Sequence, residues 1–317
     1  MGGDARDRVI VFGGTGWLGH HVAEAFRRSG HDVLVVARTP AKVLGENRFR
    51  SMDVVGSSPE EIAELLRIEQ PTVVVNAAGR YWGVTEDEMR SSLFVLAERL
   101  IAALALLDFR PRFLQLGTVM EYGVTEPGVP VTDATDAAPR SPYGRFKLAA
   151  THAVLDATRD GLIDGLVLRV VNLAGPGTPA PSLLGKVLAR LGEAHVAGRS
   201  AVVELAPLNA ERDYLDIRDA AEAVVAAAHG DLTGCTVPIG SGCPVPVRWL
   251  VTTLIKLSGV DTDLIEREPE GGAASTGAGG NWLSVDPLPA REHFGWVSRR
   301  SLTGALLDDW EDFRDQE

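Results

Sequence analysis

Short apolar blocks recur along the first half of the chain, each ending in a turn and followed by an amphipathic stretch. Val9-Ile10-Val11-Phe12 stops at Gly13-Gly14-Thr15-Gly16, and a helical pattern then runs from Trp17 to about Arg28. The same alternation predicts strands at Val33–Val36, Thr72–Val75, Phe113–Leu116 and Leu166–Val171, with a weak strand ending near Asp53. Helices are predicted over Pro59–Glu69, from Glu86 to about Leu107, and over Tyr143–Thr158. Continuous apolar strands, rather than alternating ones, belong to a parallel sheet covered on both faces. The expected fold is therefore α/β, a doubly wound parallel sheet of six or seven strands.

Past Gly175 the texture changes. Pro176, Pro179 and Pro181 crowd a loop before a helical stretch from Leu183 to about Ala197. Residues 1–175 are expected to form the sheet domain, with segments returning to it from about 200–240, and residues 176–317 mostly a smaller C-terminal lobe. Residues 269–281 are so rich in glycine and small side chains that a mobile loop is expected there.

Charge and composition narrow the function. The 317 residues include 31 basic and 43 acidic side chains, for a net charge of -12. With no lysine-rich run, that balance argues against nucleic acid or an anionic membrane as partner, so any bound anion needs a local positive site. Cys235 and Cys243 are too few and too far from histidines for a zinc site, and no metal is expected. The opening MGGDARDR has no apolar core, and no run approaches the ~20 apolar residues of a membrane helix. A reduced, cytoplasmic, soluble enzyme is the expectation.

Gly13, Gly16 and Gly19 stand at GxxGxxG spacing directly after a predicted strand and at the mouth of a predicted helix. A dinucleotide pyrophosphate lies against backbone N–H groups at such a helix start, where a Cβ would block approach and the helix dipole favours negative charge. Thr15, Trp17 and Leu18 complete this cofactor loop. At the end of the second strand, where an acid ordinarily meets a free ribose 2′-hydroxyl, the chain has Ala37 and then Arg38. A forked guanidinium suits a 2′-phosphate, with Lys42 adding charge, so NADP(H) is the expected cofactor. Asp53 and Val54 are placed to bracket the adenine, and Asn76-Ala77-Ala78-Gly79 lets the chain pass close to the adenine ribose.

Tyr143 and Lys147 are four residues apart and so share a helix face. A phenol of pKa near 10 needs a nearby ammonium to bring it towards working range. Thr118 follows the strand at 113–116, at the carboxyl end of the sheet where open α/β folds hold ligands.

GGTGWLG, NAAG, GTVMEYG and SPYGRFK together resemble the extended short-chain dehydrogenase/reductases, across nearly the whole chain. The resemblance implies Thr118, Tyr143 and Lys147 as the catalytic set, with Lys147 also on the nicotinamide ribose, and a homodimer built from the helices near 86–107 and 143–158. One departure is that the helix over 86–107 offers Ser91 and Ser92 where the family often has Asn. Asn172, Arg212 and the segments around them, with Val285-Asp286 and Phe294-Gly295-Trp296, are similar to nucleotide-sugar-modifying members. That implies a nucleotide-diphosphate sugar as substrate. Arg212 can neutralise the diphosphate and Asn172 can hydrogen-bond it, unless Arg212 is merely ion-paired to Asp213 or Asp216. Val119-Met120 stands where dehydratases similar to this chain have an acid pair, which argues against elimination. The stretch Glu121-Tyr122-Gly123 and the segment 208–213 look most like 4-keto-6-deoxyhexose reductases. Val119 and Met120 are then expected either to wall a 6-deoxy methyl group or simply to pack. An epimerase with retained NAD(P), reduction of a non-sugar ketone, and a cofactor-sensing binding protein are the competing readings.

Overall fold

The structure of the protein is a computed structural model that describes residues 7–40, 47–268 and 280–316. Its first half alternates strand and helix: β1 (Arg8–Phe12), α1 (Trp17–Arg28), β2 (Asp32–Ala37), β3 (Arg48–Ser51), α2 (Pro59–Glu69) and β4 (Val73–Asn76). Next come α3 (Glu86–Arg90), a π-turn at Ser91–Val95, α4 (Leu96–Ala105), β5 (Arg112–Thr118), a 3-10 turn at Val119–Glu121, α5 (Pro142–Arg159) and β6 (Asp164–Val170). Beyond β6 lie β7 (Asn172–Ala174), α6 (Leu183–Val196), β8 (Ala201–Leu205), β9 (Glu211–Asp216), α7 (Ile217–Ala228) and β10 (Thr236–Ile239). The chain continues through β11 (Pro244–Pro246), α8 (Val247–Ser258), β12 (Thr262–Glu266), β13 (Trp282–Leu283), α9 (Leu288–Phe294) and α10 (Leu302–Gln316).

Seven strands form one sheet in the order β10-β6-β5-β4-β1-β2-β3, every pair parallel. The apolar blocks explain its two covered faces. Val9, Val11, Val33 and Val35 pack towards α1 and α7, while Ile10, Phe12, Leu34 and Val36 pack towards α2, α4 and α5. Strand order reverses between β1 and β4, which opens a crevice at the carboxyl ends of those strands. The glycine turn after β1, the NAAG segment after β4 and Thr118 at the end of β5 all border it.

A second core, around Leu184, Leu188, Val203, Leu250, Leu254 and Trp310, joins α6, α8, α10 and β8. Beside it β9 pairs with β7, β11 and β13, and β8 pairs with β12. The carboxylate of Asp219 on α7 fastens the C-terminal segment to the main sheet by accepting from the N–H groups of Arg299 at 2.7 Å and Arg300 at 2.8 Å.

Two features differ from the sequence pattern. The single helix expected over 86–107 is divided by the π-turn, a form that recurs at functional sites. The glycine-rich run expected to be a mobile loop lies outside the described residues over 269–279, as does Lys42.

The start of α5 is set by Ser141, whose hydroxyl accepts from the Gly144 N–H at 3.0 Å, with Pro142 in the first helical position. A Cβ on Gly144 would stand 2.6 Å from the Met120 carbonyl oxygen and 2.8 Å from Pro139 Cβ. This glycine therefore allows α5 to lie directly on the turn after β5. Gly144→Ala is expected to cost about 1–3 kcal/mol, the usual effect of overpacking, read as a lower urea midpoint. An unchanged midpoint would mean that α5 can back away from the turn without cost.

Candidate active site

At the crevice, Gly16 stands as the N-cap of α1 and offers no side-chain cap, and the first turn of the helix carries no acid. Its leading N–H groups are thus left for an anion. Close packing explains two of the three glycines. A Cβ on Gly19 would be 2.2 Å from the Gly13 carbonyl oxygen, and one on Gly13, whose φ is 77°, would be 2.5 Å from Ala78 Cα. Gly16 is exposed, and a Cβ there would meet only the Gly13 oxygen at 3.2 Å before pointing into open space. This is a cradle that a dinucleotide pyrophosphate fits. Asn76 holds the neighbouring segment in place, donating to the Gln115 side chain at 2.8 Å and accepting from the Ala78 N–H at 3.1 Å. Ala77, Ala78 and Gly79 therefore stand beside the glycine turn.

The remaining cofactor positions divide. Thr15 and Leu18 are half-buried in the loop, and Trp17 donates its indole N–H to the Pro176 carbonyl at 2.8 Å, joining α1 to the loop after β7. Arg38 is exposed just past β2, its backbone carbonyl held by the Ser51 hydroxyl at 2.8 Å. No ion-pair partner for its guanidinium occurs among the described residues. Asp53 is exposed after β3. Val54 corrects the expectation: its side chain is buried in the core beside α2, which leaves only its backbone to meet an adenine.

Thr118, Tyr143 and Lys147 converge at the end of β5. The Thr118 side chain faces the Tyr143 hydroxyl closely enough to hydrogen-bond its phenolate, and Lys147 is buried beneath. Burial pushes the Tyr143 phenol above its ordinary range, outweighing the Thr118 hydrogen bond, with Glu121 and Tyr81 adding to the rise. Burial lowers the Lys147 ammonium to about 8, against the opposing pull of Glu121. The four-residue spacing predicts that Lys147 lowers the phenol's pKa. In the structure Lys147 Nζ instead donates to the Leu116 carbonyl at 2.8 Å, and the phenol stays protonated at neutral pH.

The support under this trio was missed in sequence. Glu121 is fully buried, and its carboxylate accepts from the Thr118 N–H at 2.9 Å, the Thr151 hydroxyl at 2.9 Å and Arg169 Nε at 2.8 Å. Arg169 lies over the Tyr122 ring at 4.6 Å. A Cβ on Gly117 would be 2.7 Å from Glu121 Oε1, so this glycine makes room for the carboxylate. One signal was available: Arg169 is a charge inside a strand predicted to be buried, and such a charge requires a partner.

For Val119 the packing alternative holds and the methyl-wall alternative does not. Val119 is buried in the core beside Leu116 and Tyr122, leaving Met120 alone, half-exposed, to serve as an apolar wall. Ser92 donates to the Met89 carbonyl at 3.2 Å and accepts from the Arg80 N–H at 3.2 Å, so its hydroxyl is committed to backbone. Asn172, half-buried at the start of β7, donates to the Asp213 carbonyl at 3.4 Å. Arg212 is buried on β9 and donates to the carbonyls of Glu211 and Gly280. Asp213 is taken by Ser241 and Gly242, and Asp216 by Arg218, so the structural ion-pair reading of Arg212 fails. Burial lowers this guanidinium, and no carboxylate offsets it among the described residues.

Comparison with known proteins bears on this arrangement. The profile described as the NAD dependent epimerase/dehydratase family matches residues 9–240. The chain is 40% identical over 304 residues to a dTDP-6-deoxy-L-talose 4-dehydrogenase (NAD(P)(+)) of Kitasatospora kifunensis, covering 96% of this chain and 94% of that protein. It is 25% identical over 323 residues to a GDP-6-deoxy-D-mannose reductase of Pseudomonas aeruginosa, covering 96% and 97%. Among solved structures, RMD from Pseudomonas aeruginosa complexed with NADPH has the same fold, with a TM-score of 0.83 at 20% identity over 100% of both chains.

The lowered Lys147 value has a sign that can be measured. The folded value of about 8 lies below the ordinary 10.5, so the unfolded chain binds more protons between the two and stability rises with pH there. Below pH 8 the charged, buried amine costs about 3 kcal/mol. Lys147→Met is therefore expected to be more stable than the parent by roughly 2–3 kcal/mol at pH 7, with the difference closing above pH 10. Urea unfolding at both pH values checks this, and a variant no more stable at pH 7 would place the ammonium in water.

Proposed function

The chain belongs to the NAD dependent epimerase/dehydratase family, and from that premise we propose that it reduces the C4 ketone of a dTDP-linked 4-keto-6-deoxyhexose, using NADPH. The observation that carries the reading is the meeting of Thr118, Tyr143 and Lys147 at the carboxyl end of β5, beside the uncapped start of α1. The similar talose 4-dehydrogenase supports both the C4 position and the dTDP handle.

The bound nicotinamide supplies or takes up the hydride. Tyr143 acts from its protonated form, which its burial favours, and gives its proton to the C4 oxygen as that oxygen becomes an alkoxide. Thr118 uses its hydroxyl acceptor side for the Met120 N–H at 3.3 Å, so its proton is left to hold the substrate oxygen or the phenolate. Lys147 lies four residues along the same helix face, and with Nζ held on the Leu116 carbonyl it is the group for the nicotinamide ribose. Arg212, whose hydrogen bonds among the described residues go to carbonyls, and Asn172, paired with Tyr214 two residues along β9, are the groups for the diphosphate. Arg38 reads the 2′-phosphate of the cofactor. Residues beyond β6, apart from α7, β10 and the segment from β13 through α9 to Trp296 that packs on the main sheet, make the lobe that holds the sugar nucleotide.

Purified protein is expected to reduce NADP+ with dTDP-6-deoxy-L-talose and to oxidise NADPH with a dTDP-linked 4-keto-6-deoxyhexose, followed at the nicotinamide absorbance. The same sugars linked to GDP should react poorly. Interconversion of two sugars with no net change in nicotinamide would move the assignment to an epimerase.

Tyr143→Phe is expected to lower kcat by roughly 100- to 10,000-fold with NADPH affinity nearly unchanged; normal turnover would remove the acid assignment. Arg38→Ala should raise the KM for NADPH by about 10- to 100-fold while leaving that for NADH in place. Equal weakening of both cofactors would show that Arg38 does not read the phosphate.

A further inference from the structure

The loop that leaves the crevice after Gly79 carries two adjacent aromatic residues that the proposed reaction does not use. Residues 79–83 are all exposed, and Tyr81 and Trp82 remain 43% and 42% exposed. Their rings touch, with centroids 5.2 Å apart, and the Tyr81 ring lies 4.5 Å from that of Tyr143 at an angle of 47°. Three aromatic rings thus form one continuous wall that ends at the proton donor.

The loop is braced in this position. Ser92 in the π-turn holds the Arg80 N–H. At the other end Thr85 and Glu88 cap α3 reciprocally, and Glu86 reaches Arg145 of α5 at 3.6 Å. Tyr81 is therefore fixed between α3 and the residue pair that begins α5. The π-turn puts Ser92 under the loop, so the position where the family often has Asn serves here to anchor it.

We infer that Tyr81, backed by Trp82, is the platform on which the hexose ring of the substrate stacks, and that it selects the sugar rather than the nucleotide. The inference rests on the proposed C4 reduction. A carbonyl oxygen must come within about 3 Å of the Tyr143 hydroxyl to be protonated, and a six-membered ring so placed lies alongside an aromatic ring 4.5 Å from Tyr143. The C–H face of a pyranose is apolar, more so where a methyl replaces the C6 hydroxymethyl. A partly exposed aromatic face that keeps a polar edge in water suits such a surface. The glycine turn packs instead against Ala78, and Lys147 Nζ stands against Gly79, so the cofactor segment lies before Tyr81 in the chain.

The test separates sugar from handle. Binding of dTDP, dTDP-glucose and NADPH is measured by titration calorimetry on the parent, Tyr81→Ala and Tyr81→Phe proteins. Tyr81→Ala is expected to weaken dTDP-glucose by about 10-fold, leaving dTDP and NADPH unchanged, and Tyr81→Phe is expected to retain most of the parental affinity. The KM for a dTDP-linked 4-keto-6-deoxyhexose should rise in step. Equal weakening of dTDP and dTDP-glucose, or weakening of NADPH, overturns the inference, as does an unchanged affinity for all three. A fall in kcat alone also overturns it, because the ring then only positions Tyr143. A parent protein that binds no sugar nucleotide removes the proposed function itself, and with it the platform.

Discussion

The carboxylate of Glu121 gathers the Thr118 N–H, the Thr151 hydroxyl and the Arg169 guanidinium into one buried cluster, and the geometry of the crevice depends on it. Those partners lie on β5, α5 and β6, the elements that carry Thr118, carry Tyr143 and Lys147, and lead on to Asn172. A buried ion pair of this kind is weak as a source of stability, because desolvation consumes most of the attraction. Its value lies in direction. A fully buried carboxylate must satisfy its lone pairs, and here each donor fixes one element against the next. Gly117 and Gly144 permit the close approach, the first by leaving room for the carboxylate and the second by letting α5 lie on the turn.

The same economy of charge appears in how an acidic chain can accept anions. At a net charge of -12, long-range attraction of a dinucleotide or a nucleotide diphosphate is unfavourable. The favourable elements are local and fixed: the uncapped amides of α1, Arg38 beyond β2 with no ion-pair partner among the described residues, and Arg212 buried beside the Glu211 and Gly280 carbonyls. Arg218, at the start of α7, is by contrast neutralised by Asp216 and Asp308. Arg212 differs because the neighbouring Asp213 is turned away and taken up by Ser241 and Gly242.

Tyr143 and Lys147 illustrate how burial sets chemistry. The same enclosure raises the phenol and lowers the amine, because in each case the charged form loses its water. At neutral pH the phenol is therefore held uncharged, while the amine keeps its charge at a cost and loses it more readily than a lysine in water. The phenol is thereby kept in its protonated form beside the Thr118 side chain.

Much of this was legible in the chain itself. Unbroken β-branched strands can exist only where both faces are covered, so the parallel sheet and its helical layers follow from local sequence, as the agreement of β1, α1, α2 and α5 shows. The glycine turn and the Tyr143–Lys147 spacing were equally readable, because backbone clearance and helical period are short-range properties. Tertiary structure decided what depends on neighbours distant in sequence. It buried Val119 and Val54, which composition alone left free to touch a ligand, and it turned Lys147 to the Leu116 carbonyl rather than to the phenol. It also joined Glu121 to Arg169 across two strands and broke the helix at Ser91 so that Ser92 anchors the loop of Tyr81. Periodicity specifies which face of an element is apolar, but which side chain on that face meets a charge, a ring or open space is fixed only when the elements pack.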